Sequence, residues 1–295
     1  MAIISELLNF RRDLFFEGAV QADWYYDSQK RHKPAESFVF HGPEYFGVTK
    51  EDIQFKAHEL IDTCSFTEYI AKKLYQDDES NPLVLGIAGY GTGKSHLALT
   101  LATVFGMEPG CENLTKKIIN NIEISSKDAA RYLKNTINKP NLVIVLNGMR
   151  DFNFNYEILS AARKSLKAHG IHDEFLKTIT RAYEIAAHFV ERNFELLSEK
   201  FTLIAESKGI FSVQLKEHIL SNIDSNPDIF ELVNEVYKSI NDNYIRWDDG
   251  ISAGDILTKL NETVCGDRGY FNKILILFDE FGRYIEYASE YPTRA

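Results

Sequence analysis

Pro82-Leu83-Val84-Leu85-Gly86-Ile87-Ala88-Gly89-Tyr90-Gly91-Thr92-Gly93-Lys94-Ser95 leads without interruption into His96-Leu97-Ala98-Leu99-Thr100-Leu101-Ala102-Thr103-Val104-Phe105. Residues 83–87 are an apolar run of strand length, glycines follow at 89, 91 and 93, and Leu97, Leu101 and Val104 recur at helical spacing. This order predicts a buried strand, a phosphate-binding loop and a helix opening at Gly93-Lys94-Ser95. Such a loop turns backbone N–H groups toward phosphate oxygens, which requires backbone angles and a close approach that glycine tolerates best. The helix N-terminus adds the positive end of its dipole. Gly89, Tyr90, Gly91, Thr92, Gly93, Lys94, Ser95 and His96 are therefore the candidate nucleotide-binding residues. Lys94 would serve the β- and γ-phosphates as a point charge, and the Ser95 hydroxyl would ligate Mg²⁺. Ala88 stands where this loop pattern more often carries glycine.

Working outward, the next signal is Ile274-Leu275-Ile276-Leu277-Phe278 followed by Asp279-Glu280. An apolar strand that ends in two acids, downstream of the lysine loop, predicts a Walker B strand. Asp279 would hold Mg²⁺ opposite Ser95, and Glu280 would orient or activate the attacking water. Lys94 and Glu280 are the candidate catalytic residues, Ser95 and Asp279 the candidate metal ligands, and ATP with Mg²⁺ the implied cofactors. Residues 141–148, Asn-Leu-Val-Ile-Val-Leu-Asn-Gly, predict another buried strand by their β-branched enrichment and polar ends. Two short helices precede it, the second opened by Ser125 with Asp128 three residues on.

The pattern changes after residue 155. Phe175, Ile179, Ala182, Ala186 and Phe189 or Val190 trace one helical face, and Ile229, Leu232 or Val233, Val236 and Ile240 trace another. About a hundred helical residues between two strands exceed an ordinary crossover and predict an inserted helical subdomain. His169, His172 and His188 read as surface or packing histidines. The expected division is a lead-in over 1–80, an ATPase core over 81–150 and 270–295, and an all-helical insertion over 151–269. Within the lead-in, the aromatics Trp24, Tyr25 and Tyr26 are expected to pack on the core, and the basic run at 29–34 to form a solvated loop.

Residues 88–95 together with 274–280 resemble the additional-strand, catalytic-glutamate class of P-loop ATPases, which holds AAA+, STAND, RecA-like and ABC enzymes. Residues 279–286 and the long insertion are similar to large bacterial ATPases of phage-defence and restriction systems, such as those of BREX type. No Leu-Ser-Gly-Gly-Gln signature precedes Asp279, which disfavours ABC ATPases, and Asp-Glu-Phe-Gly is not the Asp-Glu-Ala-His helicase box. The resemblance implies an α/β fold: a P-loop parallel sheet with helices on both faces, incomplete at its C-terminus because one or two further strands are expected after Walker B. These would carry a sensor and an arginine; Arg150, Arg268 and Arg283 read as surface or structural residues. An oligomer or multi-subunit complex is the expected working form.

At 295 residues with 44% hydrophobic side chains the chain can bury a substantial core. Thirty-three basic against 43 acidic residues give a net charge of −10, which draws it to neither nucleic acid nor anionic lipid and leaves nucleic acid as a partner only through a local basic groove. Three scattered cysteines, no membrane-length apolar run and a charged first segment lead to the expectation of a soluble, cytoplasmic protein. Three functions stay open: an ATP-hydrolysing switch, a nucleic-acid translocase, and a nucleotide-gated assembly module with little turnover.

Overall fold

In the computed structural model the described residues are 19–42, 61–76, 81–89, 91–148, 153–177, 182–223, 226–245 and 252–290. The chain divides into two compact units, one of Met1–Asn153, Ser160–Ile171 and Val264–Ala295, the other of Phe154–Leu159 and His172–Thr263. Ser160–Ile171, inside the stretch expected as an insertion, thus belongs with the first unit.

In the first unit a 3-10 turn over Ala22–Tyr26 leads into α1 (Ser28–Ser37), α2 (Thr63–Tyr75), α3 (Lys94–Gly106), α4 (Glu112–Ser125) and α5 (Lys127–Thr136). Strand β1 (Leu142–Asn147) follows, then α6 (Phe154–Ala168), the greater part of which lies in this unit. Strand β2 (Ile274–Asp279) and α13 (Phe281–Glu290) close the order. At α1 and α2 the helix start is capped by a side chain: Asp27 accepts from the amides of Gln29 and Lys30, and Asp62 from that of Ser65. The cap of α5 is Ser126, whose Oγ accepts from the amide of Ala129, so Ser125 ends α4 instead of opening the next helix.

β1 and β2 pair in parallel, with Leu142 opposite Ile274 and Asn147 opposite Asp279, so both strands end at the same level. The mixed α/β character expected from the sequence is present as a mostly helical chain around this small sheet. Ile70, Leu74, Leu101, Phe105, Ile118 and Leu133 form the main core, against which Leu275 and Leu277 pack. β1 is buried over Leu142 to Leu146. Its outer edge is closed by side chains: the Tyr26 hydroxyl accepts from the amide of Val145 at 2.7 Å, and Ser165 Oγ donates to the carbonyl of Val143. Tyr25, 1% exposed, packs with Ala22, Leu99, Ala102 and Val143, as expected of the aromatic cluster.

Three expectations are corrected. Residues 83–87 are not a strand but extended chain without a ladder, with Leu83, Leu85 and Ile87 exposed by 75, 65 and 77%. An apolar run becomes a strand only where another edge accepts its hydrogen bonds, and none pairs with it among the described residues. The basic run at 29–34 is helical, within α1, and Arg31 is buried in an ion pair with Glu108 at 2.5 Å. Charge alone did not betray this, because the partner lies 77 positions away. Ile240, placed on a packing face by its spacing, is 47% exposed because α11 (Pro227–Asn241) is at its last turn there. The helix expected near Ile4–Phe15 lies outside the described residues.

The second unit is built from α7 (Glu174–Lys177), α8 (Ala182–Asn193), α9 (Ser198–Ser207), α10 (Leu215–Asn222), α11 and α12 (Ala253–Val264). Ala186, Val190, Phe201, Val233 and Val236 make its core, which agrees with the periodicity over 182–190 and 229–236. Among the described residues no helix is long and apolar enough to cross a membrane.

His169 is buried with both ring nitrogens unpartnered, edge-on to Phe271 at 4.9 Å, and burial holds its pKa below 6.5. Below pH 6.5 the unfolded chain binds a proton that the folded chain refuses, so stability is complete above that pH and falls on acidification. The melting temperature is therefore expected to drop from pH 6.5 downward. His169→Phe should flatten that slope, leaving the share of His96, whose pKa burial also lowers.

Candidate functional site

The glycine requirement of the loop is met in two places. Gly91 and Gly93 have φ of 75° and 87°, left-handed values that a side chain strains, whereas Gly89 has no such need. Gly93 caps α3 without any side-chain hydrogen bond, so the first amides of that helix are not claimed by a capping side chain. Lys94 Nζ folds back and donates to the carbonyls of Ala88 at 2.9 Å and Gly89 at 2.8 Å, and Thr92 Oγ1 donates to Gly89 O at 2.8 Å. The ammonium thus lies across the mouth of its own loop, ligated by backbone oxygens. Tyr90 is outside the described residues.

The His96 Nε2 donates to the carbonyl of Pro34 at 2.6 Å, and its ring stands edge-on to Phe38 at 5.0 Å. A carbonyl only accepts, so the Nε2–H tautomer is present. The side chain ties α3 to α1.

Two observations bear on how α3 meets the second motif. The carbonyl of Phe105, near the end of α3, accepts from the amide of Asn141 at 2.9 Å, at the start of β1. Leu97 and Ala98, one turn into the helix, pack on cores that Leu275 and Leu277 of β2 also join. The C-terminal end of α3 is thus fixed at the start of β1. Thirteen helical residues span about 20 Å, as do six strand residues. A helix running back along the strands from that end would bring Lys94 and Ser95 toward the carboxyl end of β2, where Asp279 stands 184 positions from Ser95. Gly106 permits the close seat of the helix, since a Cβ there would collide with the Tyr25 hydroxyl.

At the end of β2, Asp279 Oδ1 accepts from the amide of Glu280 at 3.1 Å. Glu280 has φ 55°, an uncommon conformation for a side-chain-bearing residue, and its carboxylate meets Arg283 Nε at 3.4 Å. Gly148 allows this turn: its amide donates to Asp279 O at 3.0 Å, and a Cβ on it would lie 2.6 Å from Glu280 O. Phe278, Phe281 and Tyr284 brace the same corner, with ring centroids 5.1–6.1 Å apart. Gly148→Ala should push the Glu280 backbone aside and lower the melting temperature; an unchanged melting temperature would show that the corner has room for the methyl group.

Asn147 and Gly148 were not singled out as functional from sequence, yet the register puts Asn147 beside Asp279. The polar residue and glycine that end an otherwise apolar run were the available signal. Among the described residues no group of three or more His, Cys, Asp or Glu could hold a metal ion. A divalent ion here would draw on Asp279 and Ser95 and fill its shell with phosphate oxygens and water, the usual habit of Mg²⁺. No family model matches the chain, and neither a curated protein nor a solved structure matches it, so the chemistry of this corner rests on its own geometry.

Proposed function

We propose that the chain binds Mg²⁺-ATP at the carboxyl end of β2 and hydrolyses it, as a P-loop ATPase of the additional-strand, catalytic-glutamate type. The observation that supports this reading is the seat of α3, whose C-terminal end meets the start of β1 and whose first turn packs on cores shared with β2, an arrangement that would bring a lysine, a hydroxyl and unclaimed helix amides toward two adjacent carboxylates. The amides from Gly91 to Ser95 would receive the phosphate oxygens, and Lys94 would exchange its two carbonyl contacts for the β- and γ-phosphates. Ser95 and Asp279 would hold Mg²⁺, which when bound neutralises charge on the phosphates. Glu280 would release Arg283, orient the attacking water and accept its proton. An acidic chain with a buried Arg31 offers little support for a nucleic-acid channel.

A second reading, the nucleotide-gated switch with little turnover, is favoured by one feature. Both Lys94 and Glu280 are engaged within the protein, with backbone carbonyls and Arg283 respectively. Nucleotide binding must break those contacts, which couples the site to its surroundings. Titration calorimetry with Mg²⁺-ATP tests the shared part of both readings. Lys94→Ala is expected to weaken binding about 10- to 100-fold, the equivalent of one charge-assisted contact. Unchanged affinity, or no binding by the unaltered chain, would remove the nucleotide site.

A further inference from the structure

The net charge of the chain is carried almost wholly by the second unit. With histidines neutral, its 18 acidic and 9 basic residues give −9 out of the total of −10. A unit so charged repels a second copy of itself, nucleic acid and anionic lipid, and draws basic surfaces.

The most exposed apolar side chains among its described residues fall in one stretch: Leu196, Leu203, Phe211 and Val213 are exposed by 69 to 106%. Single apolar residues at a surface are ordinary, but four within residues 196–213 call for a cover. α9 buries Phe201 and Ala205 and packs Ile204 on the core, which leaves Leu203 on the solvent side. Glu199 and Glu206 flank it on that side, one turn to either end. The helix then closes on Gly209, φ 72°, whose amide donates to Glu206 O at 3.1 Å while that of Ile210 donates to Ala205 O at 2.8 Å. That closure packs Ile210 on the core and leaves Phe211 exposed at the end of the same helix.

Within residues 196–216 the bases are engaged, and the two acids beside Leu203 are not. Lys208 pairs with Glu231 and Glu235, Lys216 with Glu195, and Lys200 donates to the Ser239 hydroxyl. The carboxylates of Glu199 and Glu206 meet no partner among the described residues, and both side chains are exposed. An apolar residue set between free carboxylates is complementary to an apolar side chain flanked by lysines or arginines.

We infer that the outer face of α9 and the segment 210–213 form a docking surface for a basic amphipathic segment of another protein, with Leu203 and Phe211 as its apolar anchors and Glu199 and Glu206 facing its cations. Nothing in this depends on the nucleotide site. The test is the fluorescence anisotropy of a labelled peptide of about 14 residues, leucine and lysine in the pattern of an amphipathic helix, titrated with the 295-residue chain. Binding in the micromolar range is expected, and Leu203→Ser with Phe211→Ser should weaken it about 30-fold or more. Glu199→Gln with Glu206→Gln should weaken it about 5-fold and remove most of its dependence on salt. Both pairs of changes should leave the melting temperature where it is, since all four side chains are exposed. No binding, equal binding of the same peptide with glutamate in place of lysine, indifference to the two serine changes, or a melting temperature that they lower would each overturn it. So would self-association of the chain that those changes abolish, which points to a second copy, or adsorption to zwitterionic vesicles that they abolish, which points to a membrane.

Discussion

On the proposed reading, Glu280→Gln is expected to leave the affinity for Mg²⁺-ATP unchanged and to slow its hydrolysis by about 10²- to 10⁴-fold. The amide keeps the size and the hydrogen-bonding reach of the carboxylate but cannot accept the proton of an attacking water. Binding should persist because the proposed phosphate contacts lie in Gly91–Ser95, on a different element from Glu280. The left-handed turn at Glu280 and its seat against Gly148 do not involve the carboxylate, so the corner should keep its shape. Turnover measured by phosphate release, beside affinity measured by calorimetry, separates the two effects. An unchanged rate would take Glu280 out of the chemistry, and lost affinity would make it a binding residue.

Glu108→Ala should destabilise the first unit by about 3–5 kcal/mol, the cost of stranding one member of a buried ion pair. Arg31 and Glu108 meet at 2.5 Å with side chains only 6 and 11% exposed. Arg31 NH1 also donates to the carbonyl of Tyr25 at 3.1 Å, and its NH2 reaches Cys111 Sγ at 3.2 Å. Burial pulls the guanidinium pKa down and Glu108 more than offsets it, so the charge stays. A cavity of about 170 Å³ beside the pair, lined in part by Tyr26 and Lys164, has room for water, which places the expected loss toward the lower value. Thermal unfolding checks it, at roughly 2–4 °C per kcal/mol for a unit of this size. The double change Arg31→Met with Glu108→Leu should recover much of the loss, since a dry apolar pair carries no desolvation penalty. A single variant as stable as the original would show the pair to be well solvated.

Which parts of this molecule were readable beforehand follows the range of the forces involved. The strands at 142–147 and 274–279 and the helix from Lys94 were legible because continuous apolar runs and helical spacing are local properties. The paired glycines at 91 and 93 were legible for the same reason, since their left-handed angles depend on the immediate chain. Residues 83–87 carried the same apolar signal as 142–146 and did not become a strand, because a ladder needs a second edge that the run itself cannot supply. Arg31 looked solvated until Glu108 was brought to it, and the bond from His96 to Pro34, 62 positions apart, had no local signal. Gly148 showed its importance only once Glu280 was folded against it. Of the candidate site, the loop lysine and the two acids came from pattern, while the bond that fixes the end of α3 at the start of β1 joins residues 36 positions apart and has no local signal.

The bond from His96 to Pro34 carries a consequence for how the molecule is divided. Pro34 sits within α1, where it lacks an amide to donate to the turn before it, and its carbonyl serves a histidine 62 positions on. The lead-in is thus a foundation on which the lysine loop rests, not a detachable preface. Whatever tugs at α1 also tugs, through one imidazole, at the first turn of α3.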